Sequence, residues 1–118
     1  MTQIEIKRIY EPYQKSDGFR VLVDRLWPRG IAKVTAHIDL WDKGISPSTE
    51  VRQMFNHEDD KWVWFKKAYL SELKGNKVAV DSFLSQIKGK SKITLLYGAK
   101  SPDHNHAIIL RDFLRKKI

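Results

Sequence analysis

The sequence predicts an α/β fold: a single small domain over residues 1–118, with a few-stranded, mostly parallel sheet covered by about four to five helices. Three observations predict it. Phe19 to Trp27 is apolar at both parities, with Phe19, Val21, Val23 and Trp27 on one side and Leu22 and Leu26 on the other. A strand that is apolar on both faces belongs in the middle of a covered parallel sheet. Ile93-Thr-Leu-Leu-Tyr97 is a second β-rich run between turn signals. The long stretch between these runs, and the stretch after the second, carries helical periodicity.

Taken in order, Ile4 to Tyr10 alternates apolar and polar residues at first and reads as an edge or half-buried strand. Glu11-Pro12 closes it, and Ser16-Asp17-Gly18 is a turn. The Phe19 strand follows and ends at Pro28, which has no N–H for a ladder. Asp24 and Arg25 sit on opposite faces near its exit. Residues 31–45, with Ile38, Leu40, Trp41 and Ile45, fit either a short helix or an ordered loop.

Ser46-Pro47 reads as a helix start, with Ser46 as N-cap and Pro47 in the first helical position. That helix carries Val51, Met54 and Phe55 and ends near Asn56-His57. Asp59 or Asp60 opens the next helix, where Trp62, Phe65, Tyr69 and Leu73 form one apolar stripe up to Gly75-Asn76. A third helix spans roughly residues 77–88, with Val80, Phe83, Leu84 and Ile87 inward. Gly98 to Asp103 is the loop behind the Ile93 strand. Ala107, Leu110, Phe113 and Leu114 then mark a last helix with a basic end.

The chain has no cysteine, which excludes a disulfide framework, a thiolate nucleophile and a cysteine metal site. No apolar run approaches the roughly 18 residues that span a bilayer, so no membrane partner is expected. The N-terminus lacks the regions of a signal peptide, and the expected location is the cytoplasm. The formal charge is +8, unevenly spread. Residues 31–60 hold more acids than bases, whereas residues 86–118 hold eight basic residues against Asp103 and Asp112. A basic end of that kind attracts nucleic acid or anionic metabolites, or simply keeps the surface soluble.

Candidate chemistry gathers at two strand exits. The first delivers Asp24, Arg25 and Arg29; the second delivers Lys100, Asp103, His104, Asn105 and His106. If the two strands are parallel neighbours, both loops leave from one sheet edge, where ligands of open α/β sheets bind. The second loop also runs into a helix N-terminus, which favours an anion. Arg25 or Arg29 can grip such an anion bidentately. Asp24 cannot pair with Arg25 along its own strand, so it needs Arg29, a backbone turn or a histidine. It is either a catalytic carboxylate or a lock on the Trp27-Pro28-Arg29-Gly30 turn.

His104, His106 and His57 are candidate acid–base groups, because imidazole titrates near neutrality. The competing reading makes Asp103 an N-cap with His104 to His106 as a first helical turn, and His57 a helix C-cap. No metal site is expected, since Asp103 is the only carboxylate adjacent to the two histidines. No cofactor motif is present either: neither a Walker loop nor a Gly-x-Gly-x-x-Gly run occurs.

Several of these stretches together resemble one family. They are Val23-Asp-Arg-Leu-Trp-Pro-Arg-Gly30, Ser46-Pro-Ser48, the segment around Arg52, Phe55 and His57, Leu73 after Trp62, Phe65 and Tyr69, and Thr94 to Lys100 with Asp103-His-Asn-His-Ala107. This set resembles the YeaO-like family of small bacterial proteins of unknown function, over nearly the whole chain. Longer relatives look as though they carry a Cys-His-Arg segment at the last loop. Here that position reads Asn105-His106-Ala107, so a cysteine-based chemistry does not carry over. The resemblance implies a fold and a site, not a reaction. The first functional expectation is a binder, or an enzyme, for a small phosphate-like anion at the two exits. The alternatives are a nucleic-acid-associated protein using the basic end and a protein-interaction module exposing Trp41 or Trp64. The sequence leaves the oligomeric state open.

Overall fold

A computed structural model describes residues 2–118. Four strands, β1 (Gln3–Arg8), β2 (Phe19–Leu22), β3 (Leu40–Trp41) and β4 (Lys92–Tyr97), form one parallel sheet in the order β1–β4–β2–β3. Five helices accompany them: α1 (Lys33–Ala36), α2 (Thr49–Phe55), α3 (Trp62–Gly75) and α4 (Lys77–Ile87) between strands, and α5 (His106–Arg115) after β4. The two apolar runs of the sequence, β2 and β4, are parallel neighbours, with Val21 opposite Leu95 and Leu22 opposite Leu96. Strand β4 is central and buried from Ile93 to Tyr97.

Alternation along the strands divides the core in two. Ile4, Val21, Ile93 and Leu95 face the long helices and pack with Phe65, Tyr69, Phe83, Leu110 and Leu114. The α3 stripe lies inward as its spacing predicts, and Phe65, Tyr69 and Leu73 are buried. Truncating a buried aromatic such as Phe83 to alanine costs about 3–5 kcal/mol in cores of this kind. Leu22 and Leu96 point to the other face, where Ile9, Trp27, Ile31, Ile38 and Trp41 cover them.

That second face also buries a cation. Arg20 is 2% exposed. Its Nε donates to His37 O at 3.0 Å, Nη2 donates to Ala36 O at 3.0 Å, and Nη1 reaches the Asp17 carboxylate. Lys7 Nζ lies 3.1 Å from the same carboxylate. Arg20 thus satisfies the last carbonyls of α1, which a four-residue helix leaves open, and holds that short helix on the sheet. Burial pushes the Asp17 carboxyl up, but the Gln14 N–H and the Lys7 and Arg20 cations outweigh it and leave the pKa below the ordinary value.

Three expectations are corrected. The Phe19 strand does not run to Trp27: pairing ends at Leu22, with Val23 N–H to Leu96 O as the last rung, and Leu26 is 62% exposed. Residues 31–45 contain both a one-turn helix and the edge strand β3, which pairs with β2 through two residues only. The N-cap of α2 is Ser48, whose side chain accepts from Val51 N–H at 3.2 Å, and not Ser46. Ser46 Oγ instead donates to Lys43 O. No described helix is long and apolar enough to cross a membrane.

Candidate ligand cleft

The chain leaves β2 toward the second face, through Trp27 and Ile31 to α1, and leaves β4 toward the first face, into α5. Neighbouring parallel strands whose exits diverge open a crevice at their C-terminal edge. Here that crevice is a cleft of about 300 Å³ lined by residues from both exits and from α2.

Asp24 and His106 form its floor. Asp24 Oδ2 accepts the Gly98 N–H at 2.9 Å, and Asp24 O accepts from Trp41 Nε1 at 2.7 Å. Gly98 is required by this approach, because a Cβ there would lie 2.9 Å from Asp24 Oδ2. His106 Nε2 lies 3.0 Å from Val23 O and 3.1 Å from Asp24 Oδ1. A carbonyl only accepts, so Nε2 carries the hydrogen, and in the neutral ring Nδ1 is then the acceptor. Tyr69 packs edge-on behind that ring at 6.3 Å. Its hydroxyl donates to Ile45 O at 2.6 Å, and burial, then the Glu72 charge, holds its pKa well above the ordinary value. Tyr69 is therefore a neutral prop.

Three arginines line the same cleft: Arg25, Arg29 and Arg52. Arg25 Nε donates to Pro47 O at 3.0 Å, which ties the β2 exit to the chain ahead of α2. Arg29 is exposed, and its carbonyl accepts from Tyr10 OH at 2.8 Å. Arg52 Nε is buried without a hydrogen-bond partner. Among the described residues, none of the three forms an ion pair with a carboxylate. The remaining walls are apolar, including Leu26, Trp27, Phe55 and Phe65.

The other candidates divide. His57, in a left-handed conformation after Asn56 (φ 56° and 47°), lines the cleft from the α2 side. Asn105 also borders it, but its side chain caps α5 by accepting from Ile108 N–H at 3.1 Å and donates to Ser101 O at 2.9 Å. Asn105, not Asp103, is thus the N-cap. His104 turns away, stacked on Trp62 at 4.7 Å with Nδ1 donating to Asp59 at 3.0 Å. Lys100 and Asp103 are exposed and lie outside the cleft lining. Arg52 is absent from the sequence's candidate site residues. Its signal was its place three residues before the buried Phe55 on an amphipathic helix, where a solvent-facing residue is not expected.

With this geometry in view, the chain matches the family described as the inactive DUF488-N3 subclade over residues 3–118, and it belongs to that family. It is 47% identical to the uncharacterised protein YeaO of Escherichia coli (strain K12) over 112 residues, 95% of this chain and 96% of that protein. It is 32% identical over 113 residues to the uncharacterised proteins Rv3073c of Mycobacterium tuberculosis and Mb3100c of Mycobacterium bovis, covering 96% of this chain and 94% of each. No solved structure matches the chain.

Proposed function

Taking that membership as the premise, we propose that the chain binds a small phosphate-like anion in the cleft between the β2 and β4 exits. One observation carries the reading: three arginines without carboxylate partners line one cleft, and the Nε of Arg52 is buried with nothing to donate to. Leaving a buried donor unmade costs about 1–3 kcal/mol, and a bound anion removes that cost. Guanidinium groups suit the task because their fork of donors matches two oxygens at once. The aromatic and aliphatic walls give the ligand's non-ionic part a dry surface.

Membership in a subclade described as inactive favours binding over catalysis. Asn105, at the loop ahead of α5, is occupied in capping that helix. Asp24 and His106 then serve as shaped polar floor. The test is calorimetric titration of the full chain with inorganic phosphate. Saturable binding that weakens at least about tenfold in Arg52→Met is expected, since charge-assisted bonds are worth about 1.5–3 kcal/mol. Equal affinity in the variant, or no saturable binding at millimolar phosphate, sinks the proposal.

A second reading rests on another surface. A groove between α3 and α5 is lined by Lys66, Lys74, Lys116 and Lys117, with Asp112 as its only acid. A polyanion such as nucleic acid fits that charge, and its affinity should fall steeply with added salt. Affinity indifferent to salt counts against it.

A further inference from the structure

Among the described residues, two buried side-chain polar atoms lack a hydrogen-bond partner: Arg52 Nε and Asp24 Oδ1. One is a donor on a cation and the other an acceptor on an anion, and both residues line the same cleft. Buried polar atoms are nearly always satisfied, so two exceptions of opposite kind at one place are informative. Resting on the anion-binding reading above, we infer that the ligand also carries a hydrogen-bond donor, a hydroxyl or an ammonium group, with its anion on Arg52 and its donor on Asp24 Oδ1.

The surroundings of Asp24 support this. The nearest donor, His106 Nε2, has two acceptors around it, Val23 O at 3.0 Å and Asp24 Oδ1 at 3.1 Å. The ring nitrogen has one hydrogen, and the carbonyl takes it, so the carboxylate oxygen is left waiting. Among the described residues no lysine or arginine pairs with Asp24, and His106 is its one ionisable neighbour. Asp24 is nevertheless held in place, by Gly98 N–H on Oδ2 and Trp41 Nε1 on its carbonyl. An acceptor fixed in advance costs a ligand little ordering, which is how a binding site presents its polar groups. A simple anion leaves this oxygen unserved; an anion bearing a donor satisfies both exceptions at once.

The experiment titrates the full chain with three phosphates of similar size: ethyl, hydroxyethyl and aminoethyl phosphate. At least one donor-bearing compound should bind about tenfold more tightly than ethyl phosphate, the worth of one hydrogen bond to a charged group. Preference for aminoethyl phosphate identifies an ammonium, and preference for hydroxyethyl phosphate identifies a hydroxyl. In Asp24→Asn one oxygen remains for Gly98 N–H while the other position becomes an N–H, so the preference should fall to about one. The series in the unaltered chain stands whether or not that variant folds. Three equal affinities that still depend on Arg52 overturn this inference and leave anion binding intact. If none of the three binds, anion binding itself fails and takes the inference with it.

Discussion

Replacing Arg52 with methionine should leave the protein as stable as before or more stable. The structure supplies the terms. Arg52 Nε is a buried donor with no acceptor, a state that costs about 1–3 kcal/mol. Methionine keeps an unbranched stem in the cleft wall and removes the stranded donor. Against this, Arg52 is the basic residue in the last turn of α2, where its charge on the helix dipole is worth about 0.3–1 kcal/mol. The net expectation is a gain of about 1 kcal/mol, read as a raised urea midpoint with unchanged slope. Arg20→Met supplies the contrast. It strands the Ala36 and His37 carbonyls and one face of Asp17, so it should lose about 3 kcal/mol, within the range for breaking a buried pair. If Arg52→Met instead loses more than about 1 kcal/mol, Arg52 is a structural tie and the stranded-donor reasoning is wrong.

Gly98→Ala puts a Cβ 2.9 Å from Asp24 Oδ2, so it should cost about 1–2 kcal/mol and weaken phosphate binding by displacing Asp24; an unchanged urea midpoint contradicts this. The depressed Asp17 pKa means its pairing stabilises the fold above the ordinary aspartate value of 3.8 and is lost as pH falls through the lower folded value. Asp17→Asn should therefore flatten the acid limb of a stability–pH curve below about pH 4, and a curve parallel to the unaltered chain counts against it. Asn105→Ala removes the α5 cap and the bond to Ser101, and should lower the unfolding free energy by about 1–2 kcal/mol in the same urea assay.

What the sequence made legible was what local pattern determines. The α3 stripe, the Phe19 strand and the β-rich Ile93 run are written in their own residues, and they carry the sheet and its cover. Strand β3 is not, because a two-residue strand owes its existence to its pairing with β2 and not to its own residues. Two serines flank Pro47 and either suits a cap. The choice falls to Ser48 while the backbone around Ser46 and Pro47 is drawn to Arg25, whose Nε takes the Pro47 carbonyl. Arg20 shares the parity of Leu22, yet an arginine is seldom buried, and only the carbonyls of α1, contributed from 16 or 17 residues away, make its burial tolerable. The cleft was half legible. Asp24, Arg25, Arg29, His57, Asn105 and His106 all border it, while His104 goes to Trp62 and Lys100 and Asp103 stay outside.

The end of β2 explains why the cleft sits where it does. In a parallel ladder whose last rung is Val23 N–H to Leu96 O, the next rung runs from Gly98 N–H to Val23 O. Both groups are present, but neither takes the other. Gly98 N–H goes to the Asp24 carboxylate, and Val23 O is taken by His106. Two side chains stand in for one rung of the sheet, and the strands are free to part without orphaning a backbone group. That substitution uses up one Asp24 oxygen and the His106 hydrogen, and it leaves the other Asp24 oxygen buried beside the cleft without a donor. The unsatisfied acceptor is thus a by-product of how the sheet ends. A sheet that closed its own last rung would have had neither the crevice nor the unsatisfied oxygen beside it.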